Sequence, residues 1–459
     1  MHKIDFNEPT KVFFCGIGGI SMSGLAHVLL DKGFEVSGSD RAKSELTDSL
    51  QKAGAQVYIG QKAENLSSDI SFFVYTAAIH KDHPEYQRAS ELGIPVMTRA
   101  ELLGLLMKNY DISAAVSGTH GKTTVTAMIA QILMQSGKDP TVSLGGMLDT
   151  IGGNMRIGHS EYFVTEACEY TNSFLSFFPN ATIILNIEED HLDFFKDLND
   201  IRNSFHKFAL LTPESGVVII NSDIADKEQI LEGVLSRIIT FGKDACADYY
   251  PENVSYGKDG HCHFTAVSPG NIKEDFEIKI PGFHNVTNAL CAIAFADYLG
   301  IDREDTHKAL LSFNGTKRRF EIKGNVNGVT IVDDYAHHPS EIKATLSAAG
   351  RIPHNKLWCV FQPHTYSRTK VFMNDFADAL SKADAVILAD IYAARETDNL
   401  GIGSENLKEL LEKAGTESYY FPSFSEIEKF ISENCSQGDM LITMGAGDVV
   451  NIADDLIKK

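Results

Sequence analysis

What the chain lacks narrows it first. Its seven cysteines, Cys15, Cys168, Cys246, Cys262, Cys291, Cys359 and Cys435, are odd in number and widely scattered, with no CxxC pair. A disulfide framework is therefore not expected, and the thiols read as reduced, mostly buried small apolar residues of a reducing compartment. His261-Cys262-His263 is metal-like, but it lies in alternating, strand-like sequence without a second ligand pair, which argues against zinc. No apolar run approaches the ~18 residues needed to span a bilayer. Met1 to Thr10 is polar and acidic with no signal-peptide core, so a cytoplasmic location is expected. Positive charge is also short: the formal net charge is -21 over 459 residues. Such a field repels nucleic acid and anionic lipid, so neither is expected as a partner, and a polyanionic substrate must be met by a local basic site. Internal repeats and low-complexity tracts are missing too. What remains is the composition of a soluble globular enzyme, long enough for about three domains.

Strand-turn-helix signals restart twice, which divides the chain into three α/β blocks, 1–109, 110–322 and 323–459. The first opens with the apolar strand Lys11 to Cys15, the turn Gly16-Ile17-Gly18-Gly19, a helix from Met22 to Asp31 and a strand Glu35 to Ser39 ending on Asp40. This is the opening of a Rossmann-like nucleotide domain, in which glycines admit a diphosphate and an acid about 20 positions on binds a sugar hydroxyl. The fingerprint is imperfect, because Ser21 sits where its last glycine belongs and Gly24 comes three residues late. Strand Ile70 to Tyr75 and the turn Thr76-Ala77-Ala78 continue the sheet. In the second block, strands are expected near Tyr162 to Thr165, Ala181 to Asn186 and Gly216 to Asn221, then a meander from about Phe241 to Ile280. The third holds strands Gly328 to Val332, Lys356 to Phe361, Ala385 to Asp390 and Met440 to Thr443, with helices such as Asn406 to Lys413 between them. Its last strand runs into the glycine turn Gly445-Ala446-Gly447-Asp448.

The second block opens on the most informative run, Asp111 to Thr124, which reads as buried strand, glycine turn and helix start. Gly118-Thr119-His120-Gly121-Lys122-Thr123-Thr124 is a phosphate cradle: backbone N–H groups converge, the helix N-terminus adds partial positive charge and Lys122 a full one. Thr123 offers a hydroxyl to nucleotide-bound magnesium. Val116 stands where the general pattern wants a glycine, so the loop is a shortened variant beginning at Gly118. Downstream, Glu166 follows a strand and suits a magnesium ion or a solvated turn. Asn186-Ile187-Glu188-Glu189-Asp190-His191-Leu192-Asp193 places His191 among carboxylates, as a metal ligand or a plain acidic turn. Gly282 to Ala289 offers His284 and Asn288 to an adenine edge, or merely caps a helix. In Lys317-Arg318-Arg319-Phe320-Glu321 a guanidinium can meet a transferring phosphoryl group, or pair with an acid such as Glu321. Two histidine-bearing runs, Asp333-Asp334-Tyr335-Ala336-His337-His338-Pro339 and Gln362-Pro363-His364-Thr365-Tyr366-Ser367-Arg368, follow strands. There Arg368 can hold a carboxylate beside an amine.

Taken in order, the Gly16 turn, the Gly118 loop, Asp333 to Pro339, Gln362 to Arg368 and Gly445 to Asp448 resemble the Mur ligases over essentially the whole chain. The resemblance implies a three-domain α/β architecture: a Rossmann-like domain for the UDP-sugar, a central P-loop-type ATP-binding domain and a C-terminal Rossmann-like domain for the amino acid. It also implies a cytoplasmic ATP- and Mg2+-dependent ligase of peptidoglycan synthesis, which joins L-alanine to the lactyl carboxylate of UDP-N-acetylmuramate through an acyl phosphate. By the same resemblance Gly16, Gly18, Gly19 and Asp40 contact the UDP-sugar, and Thr123, Glu166 and His191 hold metal. Lys122, Glu166, His191, Arg319 and His337 are catalytic, while Gly118 to Thr124, His284, Asn288, Arg319 and Asp334 bind ATP. Tyr335, His337, His364 and Arg368 serve the amino acid and the substrate carboxylate. Many relatives carry a carbamylated lysine where this chain has Phe205, so none is assigned, and Glu169-Tyr170-Thr171-Asn172 replaces a more acidic motif. Rival readings are another Mur-type amide ligase, such as a tripeptide-recycling ligase or a folylpolyglutamate synthetase, a nicotinamide-dependent oxidoreductase, and a non-enzymatic nucleotide scaffold.

Overall fold

The computed structural model describes residues 4–76 and 78–458, so Ala77 of the expected small-residue turn and Met1 to Lys3 lie outside the described residues. The chain forms two compact units, one running to Glu188 and resuming over Leu198–Thr240, the other made of Glu189–Asp197 and everything from Phe241.

In the first unit, strands Gln56–Ile59, Glu35–Asp40, Lys11–Cys15, Phe72–Tyr75 and Val96–Thr98 form, in that order, a five-stranded parallel sheet. Val12 to Cys15 are all buried, as a strand covered on both faces requires. The winding reverses between Lys11–Cys15 and Phe72–Tyr75, where ligands of doubly wound sheets sit. The helix Ile20–Asp31 follows the glycine turn. A Cβ on its Gly24 would lie 3.0 Å from Met155, so this late glycine lets the helix approach strand Gly153–Arg156 closely and serves packing.

The second sheet of this unit has seven strands: Arg237–Phe241, Val217–Asn221, Ala181–Ile184, Ile112–Ser117, Tyr162–Glu166, Thr141–Leu148 and Gly153–Arg156. Pairing is parallel around Ile112–Ser117, and only the Thr141–Leu148 and Gly153–Arg156 pair is described as antiparallel. That hairpin has no counterpart in the expected strands. Phe205 is fully buried edge-on against Phe174, so this position belongs to the core.

In the second unit the expected meander is an antiparallel sheet of Tyr250–Tyr256, Cys262–Ser268 and Ile272–Ile278. Cys262 is buried while His261 and His263 both lie beside Glu277. Helices Phe283–Tyr298 and Arg303–Ser312 follow. The six-stranded sheet runs Glu321–Val326, Val329–Asp334, Met440–Met444, Leu357–Phe361, Ala385–Leu388 and Glu417–Tyr420. Its first pair is antiparallel and the rest are parallel. Separate apolar clusters cover its faces, one with Val332, Phe361, Phe376 and Leu380, the other with Val360, Ile387, Leu441 and Ile452. The boundary expected at 322/323 falls inside strand Glu321–Val326, whose ladder to Val329–Asp334 ties both sides of that position into one sheet. Residues 241–322 group with this sheet through contacts such as Arg351 over the Tyr256 ring at 4.1 Å. No helix of the described residues is long and apolar enough to cross a membrane.

Candidate functional site

Strand Ile112–Ser117 ends in a turn that helix Lys122–Gln135 leaves, with Gly118 at φ +145° and Gly121 at φ +85°. Both values lie in the region that favours glycine, and a Cβ on Gly118 would sit 3.0 Å from Leu185 and 3.1 Å from the Asn186 nitrogen. Asn186 clamps the turn. Its side-chain oxygen accepts from His120 N (2.7 Å), its amide donates to His120 O (3.0 Å), and its carbonyl accepts from Thr119 N (3.1 Å). Glu188 N donates to the Thr119 hydroxyl at 2.9 Å. Helix geometry leaves the first N–H groups after Gly121 without intrahelical acceptors, so they are available to an anion.

Lys122 bends back over this turn. Its Nζ donates to Gly118 O (2.5 Å), Thr119 O (3.2 Å) and Glu169 Oε2 (3.0 Å). Burial pulls its pKa down, but the nearly fully buried Glu169 outweighs that and the group is pushed up to about 12. The cation is permanent. Glu166 closes strand Tyr162–Glu166 and accepts from Gly145 N at 2.6 Å. A Cβ on Gly146 would lie 3.0 Å from the Thr123 methyl and one on Gly145 2.9 Å from Glu166 Oε2, so this glycine pair lies against both side chains. The hydroxyl and the carboxylate are hard oxygen donors of the kind magnesium takes.

The first glycine turn is built on the same frame. Gly16 has φ +84°, and Gly16 N and Ile17 N donate to Ser39 O at 2.8 and 2.9 Å. Asp40 accepts from Gly18 N at 2.8 Å, and a Cβ on Gly18 would meet that carboxylate at 2.8 Å. Gly19 precedes the helix as its N-cap. Asp40 thus sits at the turn where the sugar contact is expected.

Three domain models tile the sequence: "Mur ligase family, catalytic domain" at residues 11–111, "Mur ligase middle domain" at 116–296 and "Mur ligase, glutamate ligase domain" at 318–447. The UDP-N-acetylmuramate--L-alanine ligase of Agathobacter rectalis is 57% identical over the whole of both chains. The chain belongs to the Mur ligase family. The enzyme of the same name from Clostridium acetobutylicum is 46% identical, with 98% of each chain covered. Among solved structures, the UDP-N-acetylmuramate-alanine ligase of Thermotoga maritima matches with a TM-score of 0.80 at 32% identity over 98% of each chain. A murein peptide ligase of Psychrobacter arcticus matches with 0.69 at 26%, again over 98% of each. The three-domain α/β architecture of the family is therefore that of this chain.

The remaining expected Mur ligase site residues lie in the second unit. Arg368 donates to Asp190 through Nη2 (2.8 Å) and Nε (3.3 Å), and lies 3.4 Å from His364 Nδ1. Burial alone would raise Asp190, but Arg368, helped by His191, holds its carboxyl well below the usual range. Asp190 thus occupies one edge of the Arg368 guanidinium. His191 sits at φ +54°, and its N donates to Asp190 Oδ1 at 2.7 Å. Thr123 and Glu166 are brought together in the first unit, while His191 is part of the second. His364 stacks on Tyr392 at 5.5 Å, and burial followed by Arg368 lowers its pKa.

Asp334 is buried and fully engaged, accepting from Ala336 N (2.7 Å), Phe320 N (2.8 Å) and Thr345 Oγ1 (3.2 Å). Burial raises it to about 6 against the pull of Arg319. Its carboxylate ties the Arg319-Phe320 turn to the Asp334–Ala336 loop. Tyr335 carries both guanidinium groups over its ring, Arg318 at 4.9 Å and Arg319 at 5.3 Å. Of the two guanidinium groups in this run, Arg319 lies 3.4 Å from Glu341, while Glu321 accepts from Arg318 N at 2.8 Å. Arg318 is the structural arginine: it reaches Asp333 (2.9 Å), Gly445 O (2.7 Å) and Gly447 O (3.1 Å), filling the last glycine turn. His337 Nδ1 donates to Tyr335 O at 3.0 Å, and burial lowers its pKa to about 4 although Glu341 opposes this. At physiological pH it is neutral. His284 is exposed at the start of helix Phe283–Tyr298, and Asn288 is buried with its amide given to Asn285 at 3.1 Å.

Sequence reasoning left four residues without a role: Glu169, Asn186, Asp190 and Glu341. Glu341 had a readable signal, since it stands three residues after the N-cap His338 and accepts from His338 N in a capping box. The other three carry no spacing rule, as their partners are far away in sequence.

Proposed function

We propose that the chain is an ATP-dependent ligase forming the amide between L-alanine and the lactyl carboxylate of UDP-N-acetylmuramate, in the cytoplasmic assembly of peptidoglycan. The observation that carries this reading is the Lys122 grip on a shortened phosphate loop, in a chain 57% identical end to end to a ligase of that name. A free carboxylate is a poor acyl donor because its leaving group would be oxide. Transfer of the γ-phosphoryl group of ATP gives an acyl phosphate, from which the amine of alanine displaces inorganic phosphate, with ADP as the other product.

Lys122 meets the charge on the transferring group with a cation that never titrates near neutrality. Thr123 and Glu166 fit magnesium by chemistry, and the ion, when bound, would supply further charge neutralisation. His191 is offered as a metal ligand on the family resemblance. Arg319, 30% exposed and 3.4 Å from Glu341, keeps a forked donor set suited to phosphate oxygens, whereas Arg318 is consumed by the fold. His337, held neutral, adds no positive charge to compete for the carboxylate or to repel an ammonium. We assign the UDP-sugar to the first block with Gly16, Gly18, Gly19 and Asp40, ATP to the second with Gly118 to Thr124, His284 and Asn288, and the amino acid to the third with Tyr335, His337, His364 and Arg368.

Phosphate release from ATP, measured with UDP-N-acetylmuramate and each amino acid in turn, tests the reading. Alanine-dependent release, one phosphate per amide formed, is expected. Release with a free tripeptide in place of alanine would move the chain to the recycling ligases, and no release with any acceptor would overturn the proposal.

A further inference from the structure

Outside the residues used above, the first unit holds a buried cluster of three good metal donors. Cys15 ends strand Lys11–Cys15, and His83 and Glu85 lie at the start of helix Pro84–Glu91, His83 as its N-cap and Glu85 in its first turn. Cys15 Sγ is 3.8 Å from His83 Nδ1, and one donor atom from each of the three residues lies within 4.8 Å of the others. For a tetrahedral ion with bonds of about 2.3 Å to sulfur and about 2.0 Å to nitrogen, those two donors belong about 3.6 Å apart, so the pair is nearly preset.

The surroundings hold these donors in place. Glu85 is fully buried and accepts from Ser39 Oγ (2.6 Å), Lys62 N (3.1 Å) and Asn65 Nδ2 (2.8 Å), while Gln61 Nε2 donates to Cys15 Sγ at 3.4 Å. Such second contacts orient ligands before an ion arrives. His83 is the partly exposed member. The His83 side chain makes no helix-capping bond.

We propose that Cys15, His83 and Glu85 form a binding site for a thiophilic divalent cation of the zinc class. Thiolate, imidazole and carboxylate together select zinc or cobalt over magnesium, which wants oxygen alone. On binding, the Cys15 S–H bond is replaced by a sulfur–metal bond and the proton leaves to solvent. The ion joins the end of the first strand to the start of the Pro84–Glu91 helix. Ser39, whose hydroxyl bonds Glu85, also accepts Gly16 N and Ile17 N, so an ion here stiffens the base of the first glycine turn.

Cobalt(II) alone, added to the full chain, tests this without reference to ligase activity. One equivalent is expected to produce a thiolate-to-cobalt charge-transfer band, which zinc abolishes and excess magnesium does not. The band is expected to vanish in Cys15→Ser and to persist in Cys262→Ser, the thiol beside His261 and His263. His83→Gln, a change outside the core, is expected to weaken cobalt binding by about tenfold or more while the melting temperature without metal stays put. Absence of the band in the wild-type chain, its survival in Cys15→Ser or unchanged affinity in His83→Gln would overturn the assignment.

Discussion

The Gly118–Thr124 loop and the Asp333–Glu341 segment both leave the end of a buried parallel strand and run into a helix, yet they treat charge in opposite ways. In the first, a nearly buried lysine is driven to about 12 because Glu169 sits 3.0 Å from its Nζ. In the second, burial drives His337 down to about 4 and lifts Asp334 to about 6, so both incline toward their neutral forms. Burial acts the same way on all three groups. What differs is the counter-charge: Glu169 faces Lys122 directly, whereas at His337 the help of Glu341 is offset by Arg368, and at Asp334 the help of Arg319 falls short of burial. The strand-turn-helix frame is shared, and the charges facing each buried group decide whether it is held charged or pushed toward its neutral form.

Removing the lysine breaks this contrast most severely. Lys122→Ala is expected to lower phosphate release by roughly 10²–10³-fold or more, the range for deleting one preorganised charge at a transition state. It also strands the buried Glu169, at a cost of about 3–5 kcal/mol. Lys122→Ala combined with Glu169→Gln is expected to recover much of the melting temperature and none of the turnover. If the double variant regained turnover, Lys122 would be a structural residue. UDP-sugar binding, followed by calorimetry, is expected to survive both changes.

The adjacent arginines sharpen the second region. Arg318→Ala leaves Asp333 buried and unpaired and uncovers two carbonyls, so about 3–5 kcal/mol of stability is expected to go. Arg319→Ala is expected to shift the melting midpoint little and to lower kcat. Equal losses of stability in the two variants would refute that division of labour. A smaller effect is expected from Asn186→Ala, which leaves the His120 N–H and carbonyl without their partner. The loop would loosen at a cost of about 1–3 kcal/mol, read as a drop of about tenfold in phosphate release at saturating ATP.

The strands were legible because parallel strands buried on both faces write continuous apolar runs: Lys11–Cys15 and Leu357–Phe361 emerge within a residue of expectation. The Thr141–Leu148 and Gly153–Arg156 hairpin was not, since its exposed edge carries glycine and polar residues in place of an apolar run. Glu321–Val326, an edge strand of mixed pattern, carries no such run either. In the site, Gly118 to Thr124 could be read because local backbone geometry demands those residues at that spacing. Which arginine was structural could not, because the choice rests on Asp333, Gly445 and Gly447, up to 129 residues away. Likewise nothing near Arg368 announces Asp190, 178 positions earlier, as its partner.

The smallest effect is a pH dependence that two oppositely shifted groups hide from each other. Between pH 4 and 6.5 the unfolded chain protonates His337 and the folded chain does not, so this histidine makes stability rise with pH across the window and fall as acid is added. Asp334 works in the other direction. With its pKa raised from 3.8 to about 6, the folded chain keeps a proton that the unfolded chain has lost, and stability falls as pH rises through that range. The two slopes overlap between pH 4 and 6 and largely cancel, leaving whatever slope the rest of the chain imposes. Relative to that wild-type curve, His337→Gln is expected to tilt urea-derived stability downward with rising pH, and Asp334→Asn to tilt it upward. If both variants tilted the curve the same way, the suppression of charge in this segment would not be what sets it apart from the lysine loop.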